Sequence, residues 1–485
     1  MNLHQPATAP KFFSCLLMVL LLAFSACEKD VPQILNDENA IVSFSIRSGN
    51  GLLIDPALTT VTFKNDSIGI TVPAGTDVTE LIPEIVITGV SISPASGVKQ
   101  DFTHPVVYTV TAENSNQAKY VVTIKAAVAE KESLVFFGSS DNTFYALNAR
   151  TGTLKWKYTS TKSFAYSSPT YKDGVVYVGG IDSYVYAFNA AYGAVLWTFE
   201  AGTTGIESDA VIFGNTVYVG SNDDYLYAID APTGALKWKF LTGSNVSSSP
   251  TVYNNLVCFG SSDGKIYALD TATGNPAWNF QTGAMINQSG ASIVKGSLYV
   301  GSRDQHLYNI DAATGTLNWA YKSNVSLEQA SPTVVDGVVY MGGWYDLSNF
   351  NIKGSLFALD AVTGTLIWEV LKNTGFSSSP YVANGILYIG ADDLQFYAIN
   401  AATGAALWQK QILTNSASAS VSDGVVYIGG GGTRHFYAFD AVTGTEKWRF
   451  PIPNGLMTSS PLVVDESGIP YHAGDSGVQT KAGRQ

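Results

Sequence analysis

The cysteines are the rarest of the side chains that could do chemistry. Cys15, Cys27 and Cys258 are the three cysteines of this 485-residue chain, and no two of them form a CxxC pair. This usage excludes a disulfide scaffold, a cysteine-rich zinc site and a c-type haem attachment site. Cys258 lies in the strand-like segment Asn-Asn-Leu-Val-Cys-Phe-Gly, where we expect a buried, unreactive thiol.

Two of the five histidines share a position in a repeated segment. His306 and His435 each stand two residues before a tyrosine, with Arg303 and Arg434 close by. These four side chains could form a paired polar site on two non-adjacent repeats, or they could be unrelated solvated residues. The sequence contains no HExxH or P-loop motif.

Aspartate recurs at one turn of the same repeat. The residues are Asp141, Asp182, Asp223, Asp263, Asp304 and Asp392. An aspartate in a turn commonly accepts hydrogen bonds from its own turn backbone, so we expect these carboxylates to be structural. The sequence therefore predicts no catalytic residue and no metal ligand.

A break in the repeat is the best candidate for a binding site. About eight extra residues fall within 342–355, and they include Trp344, Tyr345, Asp346, Asn349 and Phe350. Exposed aromatic side chains with polar neighbours are typical of binding surfaces. The alternative is a loop folded onto its own repeat, with Trp344 as its anchor.

The N-terminus predicts an exported protein. Lys11 precedes an uncharged run over residues 12–26, too short to span a bilayer but suited to a signal peptide. Residues 24–27, Phe-Ser-Ala-Cys, resemble the lipobox of bacterial lipoproteins, which implies removal of 1–26 and a lipid anchor on Cys27. Residues 28–30, Glu-Lys-Asp, resemble the surface-export signal of Bacteroidota lipoproteins. We expect outer-membrane anchoring, facing the periplasm or the cell surface, with 27–40 as a lipidated tether.

Composition limits the possible partners. Charged residues make up 14% of the chain, against roughly 25% in an average soluble protein. Aromatic residues make up 12%, and the net charge is −12. Low charge with many aromatic residues argues against disorder, and an acidic chain lacks the basic surface that binds nucleic acid.

Residues 41–127 predict a small antiparallel β-sandwich. Short β-branched and aromatic runs alternate there with polar turns, as in 106–111 and 120–124. The segment 91–124 resembles the immunoglobulin-like adaptor domains of Bacteroidota surface lipoproteins, which implies a spacer. Residues 128–133 are predicted to be a linker.

The remaining residues, 134–485, follow one repeat. Its tryptophans are Trp156, Trp197, Trp238, Trp278, Trp319, Trp368, Trp408 and Trp448. Their spacings are 41, 41, 40, 41, 49, 40 and 40 residues. Each unit contains four short strand patterns, which predicts an all-β fold with an eight-bladed β-propeller. The first unit lacks a first strand and residues 459–464 supply one, so the C-terminus is expected to close the ring.

The repeat A-x-D-x-x-T-G-x-x-x-W resembles the tryptophan-docking motif of PQQ-like, or quinoprotein alcohol dehydrogenase-like, propellers over 134–478. The resemblance implies that these tryptophans dock one blade onto the next. Quinoprotein dehydrogenases hold pyrroloquinoline quinone (PQQ) under a disulfide of adjacent cysteines, and they also use a calcium site and a catalytic aspartate. Cys258 stands alone and no matching set of residues is readable, so we expect neither PQQ nor calcium as a cofactor.

Three functions follow from these patterns. The leading one is a monomeric, non-catalytic scaffold that binds an envelope protein, since the fold also resembles propeller lipoproteins of the outer-membrane β-barrel assembly machinery. The second is glycan or small-ligand binding in nutrient capture. The third, which the cysteine usage disfavours, is a PQQ-dependent dehydrogenase.

Overall fold

The computed structural model describes residues 36–49, 51, 53–54, 59–73, 75–127, 132–346, 351–413 and 417–471, with the backbone alone at 345, 346 and 351–353. Across these ranges the regular structure is β-strand, and none of it forms a helix long and apolar enough to cross a membrane. The chain divides near residue 130 into two compact units.

The N-terminal unit contains a two-stranded and a five-stranded sheet. Ile41–Arg47 pairs with Ile82–Ile87 in the first sheet. The five-stranded sheet has the order Thr60–Lys64, Ser67–Val72, Gln117–Ala126, Val106–Thr111 and Ser91–Ser93. The sequence predicted only antiparallel pairing, and this was wrong at one place, because Ser67–Val72 runs parallel to Gln117–Ala126. A parallel pair needs a long crossover, which the chain between these strands provides.

The second unit contains eight consecutive blades within the described residues, here numbered by their tryptophans in chain order. The first strands of blades one to eight are Leu462–Val464, Thr170–Lys172, Val211–Phe213, Thr251–Tyr253, Ser292–Val294, Thr333–Val335, Tyr381–Ala383 and Ser420–Ser422. The second strands are Leu134–Gly138, Val175–Gly179, Thr216–Gly220, Leu256–Gly260, Ser297–Gly301, Val338–Asp346, Ile386–Gly390 and Val425–Gly430.

The outer half of each blade is equally regular. The third strands are Thr143–Asn148, Tyr184–Asn189, Tyr225–Asp230, Lys265–Asp270, His306–Asp311, Asn351–Asp360, Gln395–Asn400 and His435–Asp440. The fourth strands are Leu154–Thr159, Val195–Glu200, Leu236–Leu241, Pro276–Gln281, Leu317–Lys322, Leu366–Lys372, Ala406–Gln411 and Glu446–Pro451. Third strands are buried on both sides because blades stack against them, whereas fourth strands are partly exposed.

The C-terminal segment completes the first blade, as the sequence predicted. Leu462 pairs with Phe136 and Val463 with Val135 in an antiparallel ladder. Pro470–Tyr471 adds a short strand on the free side of Leu462–Val464. First strands of neighbouring blades contact one another around the axis, and Leu462–Val464 contacts the first strands of blades two and eight.

Tryptophan and glycine form each junction between blades. The indole N–H of each repeat tryptophan donates to a backbone carbonyl of the next blade at 2.8–3.3 Å. The bond from Trp448 to Ala149 closes the circle. The indole also lies flat on a glycine of that blade. A Cβ atom on Gly274, whose φ is 72°, would lie 2.7 Å from the Trp238 ring. Only glycine fits there.

The antiparallel order gives the propeller two distinct faces. Turns between second and third strands, together with the connections to the next blade, lie on one face, here called the upper face. Turns between first and second strands and between third and fourth strands lie on the other, here called the lower face. The recurring aspartates and the insertion belong to the upper face.

Candidate functional site

The recurring aspartates of the upper face bind tyrosines of the adjacent strand. Each carboxylate accepts a bond from the tyrosine hydroxyl four residues later, at 2.5–2.7 Å, and from a backbone N–H two residues later. The pairs are Asp141–Tyr145, Asp182–Tyr186, Asp223–Tyr227, Asp263–Tyr267 and Asp304–Tyr308. Burial and then the bond to the carboxylate raise the pKa of each of these tyrosines.

The sequence assignment was wrong in blade seven. The paired carboxylate there is Asp393, which accepts a bond from the Tyr397 hydroxyl at 2.6 Å. Asp392 instead accepts bonds from the Ser377 hydroxyl at 3.0 and 2.9 Å, and burial raises its pKa. The spacing between repeats varies by one residue. It therefore does not indicate whether Asp392 or Asp393 occupies the repeat position.

The insertion extends blade six into a long hairpin. Its strands, Val338–Asp346 and Asn351–Asp360, have nine and ten residues. Trp344 pairs with Gly354 within the hairpin. The Trp344 N–H donates to the Ser326 carbonyl and the Ser326 N–H to the Trp344 carbonyl, both at 3.1 Å. The hairpin is therefore bonded to the connection between blades five and six.

This attachment favours the interpretation of Trp344 as an anchor. Its side chain is half-buried, and a Cβ atom on Gly375 would lie 2.6 Å from its Cβ. Only the backbone of Tyr345 and Asp346 is described, and Asn349 and Phe350 lie outside the described residues. The binding role of these residues stays a prediction.

A cleft, here called the hairpin cleft, lies beside the inserted hairpin. Its volume is about 570 Å³, and it is lined by Gly354, Leu371, Lys372, Asn373, Thr374 and Asp393. The Lys372 Nζ lies 3.5 Å from the Asp393 Oδ2 and 3.4 Å from the centre of the Tyr397 ring. Leu371 is 65% exposed. The cleft thus combines a positioned ion pair, an amide and a hydroxyl with an exposed aliphatic side chain, in the size range of ligand pockets.

The structure does not bring the two histidine–arginine pairs into one site. His306 contacts Asp304 of its own turn through Nδ1, and the Arg303 Nε lies 3.9 Å from the Glu328 Oε1. In blade eight, the His435 Nδ1 lies 2.6 Å from the Thr433 carbonyl oxygen and Arg434 donates to the Pro453 carbonyl at 2.9 Å. Blades six and seven lie between them.

Sequence reasoning missed two features of this face. Glu328 is 7% exposed, and burial raises its pKa although Arg303 opposes the shift. Lys372 and Asp393 are the charged pair of the hairpin cleft. No sequence pattern indicates these two features. The burial of Glu328 and the contact between Lys372 of blade six and Asp393 of blade seven depend on contacts between distant segments.

Hydroxyls surround the propeller axis. Backbone N–H groups of one blade donate to side chains of the next, at 2.6–3.1 Å. The links join Ser168 to Asp209, Asp209 to Ser249, Gly290 to Ser331, Ser331 to Ser379, Ser379 to Ser418 and Ser460 to Ser168. The axial cavity between these strands measures about 90 Å³.

These residues do not fit a quinone cofactor. Ligand pockets generally measure about 300–1,000 Å³, so the axial cavity is too small for a three-ring quinone. Cys258 lies on the second strand of blade four, buried, and burial raises the pKa of its thiol to about 12. Among the described residues, no three histidine, cysteine, aspartate or glutamate side chains are grouped to hold a metal ion.

Solved structures with the same fold include BamB, a designed protein and a dehydrogenase. BamB from Moraxella catarrhalis is 22% identical, with a TM-score of 0.52 over 62% of this chain and 89% of that one. A computationally designed protein, Ika8, is 20% identical, with a TM-score of 0.54 over 67% and 95%. A europium-containing methanol dehydrogenase is 15% identical, with a TM-score of 0.53 over 63% and 81%. At these identities the likeness shows the fold alone.

Family models match both units. No curated protein matches the chain. Residues 41–124 match the N-terminal domain of SGBP, the surface glycan-binding type found in Bacteroidota. Residues 110–209, 181–343, 285–373, 304–420 and 352–478 match the repeat model described as outer membrane protein assembly factor BamB. Because these overlapping matches cover more than half of the sequence, the chain belongs to the PQQ-repeat propeller family that carries the BamB description.

Proposed function

We propose that the protein is a non-catalytic, glycan-binding lipoprotein of the cell envelope, and that it binds its ligand at the hairpin cleft. The observation that carries this proposal is the match of residues 41–124 to a surface glycan-binding N-terminal domain, in a chain whose propeller has such a cleft beside its one long insertion. The glycan alternative is therefore preferred here to the protein scaffold that sequence patterns favoured.

The chemistry of the cleft suits a sugar. Asn373 and Thr374 offer hydrogen-bond donors and acceptors, which match ring hydroxyls. Lys372 and Asp393 offer charged partners, whose hydrogen bonds are stronger than neutral ones. Leu371 offers an aliphatic surface for the C–H face of a pyranose ring.

Calorimetric titration of neutral oligosaccharides into the full chain tests this proposal. We expect Asn373→Ala and Leu371→Ala to weaken binding roughly five- to tenfold, as the loss of a hydrogen bond or of apolar contact does. Leu241→Ala is the matched control, because Leu241 is an exposed leucine at the end of a fourth strand on blade three. Equal affinity in all variants would place the ligand elsewhere.

The membrane anchor is part of the proposal. Cys27 carries the lipid, residues 27–40 form the tether, and the propeller faces either the periplasm or the outside of the outer membrane. Cells grown with labelled palmitate should label the wild-type chain and leave Cys27→Ala unlabelled. Protease added to intact cells should degrade the propeller if it faces outward.

A protein partner is the second candidate, favoured by the BamB family match. Crosslinking in intact cells followed by purification tests it, and reproducible recovery of one envelope protein would support it.

The proposed lack of catalysis is tested separately. Adding PQQ with calcium should cause no dye reduction, and reduction with alcohols would contradict the proposal.

A further inference from the structure

A groove, here called the lower groove, crosses the face opposite to the hairpin cleft. Its volume is about 910 Å³, and it lies across blades five, six and seven. The turns between their first and second strands contribute Lys295, Asp336 and Asn384. Asn309 and Asn318 contribute amides from the outer strands of blade five.

The groove lies where small side chains stand at the ends of three consecutive first strands. The last residue of the first strand can reach over the first turn of the next blade. Tyr253 does so, since its hydroxyl would lie 3.1 Å from a Cβ atom on Gly296, and Lys172 donates to the Gly214 carbonyl. The residues at this position in blades one to eight are Val464, Lys172, Phe213, Tyr253, Val294, Val335, Ala383 and Ser422. Blades five to seven have Val294, Val335 and Ala383, which are too short to cover the next turn as Tyr253 does.

Asn309 is a polar residue that the fold does not require. Seven blades have alanine at its position, namely Ala146, Ala187, Ala228, Ala268, Ala358, Ala398 and Ala438. Asn309 is 2% exposed and donates to the Ala361 carbonyl at 3.2 Å. That oxygen already accepts bonds from Tyr299 at 3.0 Å and Trp319 at 3.2 Å, which occupy both lone pairs.

The amide of Asn309 has a second bond that points to a role. Its Oδ1 accepts a bond at 3.0 Å from the Nδ2 of Asn318, an exposed residue on the groove wall. This bond restricts the rotation of the exposed Asn318 side chain and so holds its amide in one orientation. Burying an amide costs free energy unless it is hydrogen-bonded, and the bond from Asn318 satisfies the buried Oδ1 of Asn309.

We propose that the lower groove is a second carbohydrate subsite, which takes a neutral oligosaccharide. Asn318 is its binding residue and Asn309 a positioning residue that acts through Asn318. The ligand class rests on the proposed function, but the site does not involve the hairpin cleft.

The lining supports a neutral, hydroxyl-rich ligand. Lys295 and Asp336 carry opposite charges, so the groove selects neither an anion nor a cation. The amides of Asn318 and Asn384 supply both donors and acceptors, and valine side chains supply apolar walls for C–H groups. The volume lies within the range of ligand pockets, about 300–1,000 Å³.

The test uses the full chain and neutral tetra- to hexasaccharides of glucose, xylose, mannose and N-acetylglucosamine. Calorimetry should give two sites per chain. Val335→Tyr fills the groove by copying the tyrosine of blade four and should leave one site. Phe213→Val, at the same strand position of blade three, is the control and should leave two.

Asparagine variants test the assigned roles. We expect Asn318→Ala and Asn309→Ala each to weaken binding at one of the two sites roughly five- to tenfold. Asn309→Ala installs the residue that seven blades already use, so the melting temperature should stay unchanged. A lower melting temperature with unchanged affinity would show a merely structural role and overturn the assignment.

The outcomes separate this proposal from the proposed function. A single site that Leu371→Ala weakens and Val335→Tyr leaves intact would overturn the lower groove alone. Binding that Val335→Tyr abolishes and Leu371→Ala leaves intact would support the groove and overturn the hairpin cleft. Wild-type protein that binds none of the sugars would overturn both.

Discussion

At the scale of residues, buried tyrosines make stability depend on pH. The hydroxyls of Tyr145, Tyr186, Tyr227, Tyr267, Tyr308 and Tyr397 each donate to a carboxylate. Burial and that bond raise their pKa in the folded chain. An unfolded tyrosine ionises near pH 10, so above that pH the unfolded state has lost protons that the folded state keeps.

Stability should therefore fall as the pH rises through 10 and beyond, after a smaller fall above about pH 8.5 from the buried Cys258 thiol, whose pKa is also raised. Urea melts between pH 8 and pH 11.5 measure this dependence. Tyr267→Phe, which removes one of the six groups, should reduce the slope. A free energy of unfolding that stays level up to pH 11.5 would contradict the role of these tyrosines.

The Cys258 thiol should be unreactive in the folded protein. It lies where most other blades have a tyrosine on the second strand, such as Tyr218 and Tyr299, and burial raises its pKa to about 12. At pH 8 only about one thiol in ten thousand is then a thiolate, which is the reactive form. A thiol-specific dye should not label a form that starts after residue 27, and labelling should become complete in guanidinium. Rapid labelling of the folded form would contradict this.

At the scale of elements, the junction between blades depends on a glycine under a tryptophan. Gly274 and Gly174 both have positive φ, 72° and 86°, but only Gly274 faces an indole, because nothing lies within 4 Å of a Cβ atom on Gly174. Gly174→Ala should cost about 1–2 kcal/mol through backbone strain alone. Gly274→Ala should cost about 1–3 kcal/mol more, because Trp238 must also move.

Urea melts of both variants measure this difference, and equal losses of stability would show that the tryptophan does not depend on the glycine.

The motif A-x-D-x-x-T-G-x-x-x-W could be identified from sequence because both partners of the junction recur at fixed spacing. The attachment of the inserted hairpin to Ser326 could not, because that connection follows no repeated pattern.

At the scale of the whole molecule, stability depends on ring closure. Leu462, Val463 and Val464 are buried and form the first strand of blade one. Deleting residues 461–485 should leave that blade with three strands and cost roughly 5 kcal/mol or more, since each buried aliphatic side chain contributes about 1.5–3 kcal/mol. Thermal melts should show a lower and broader transition.

Deleting residues 473–485 is the comparison for this prediction, because this shorter deletion keeps both Leu462–Val464 and Pro470–Tyr471. It should therefore retain the contribution of the closing strand to stability. If both deletions melt like the full chain, the ring does not need its closing strand.

The sequence by itself determined the repeat, the eight blades, the docking tryptophans and the closing strand. Each depends on residue types at fixed spacing, and strand alternation and turn geometry are local. The tertiary structure decided which of Asp392 and Asp393 binds Tyr397, where the long hairpin attaches, and that Ser67–Val72 runs parallel to its neighbour. It also decided that the lower groove stays open across three blades. These features depend on the volume and polarity of side chains that meet across blades, and the spacing along one chain does not specify which distant residues meet.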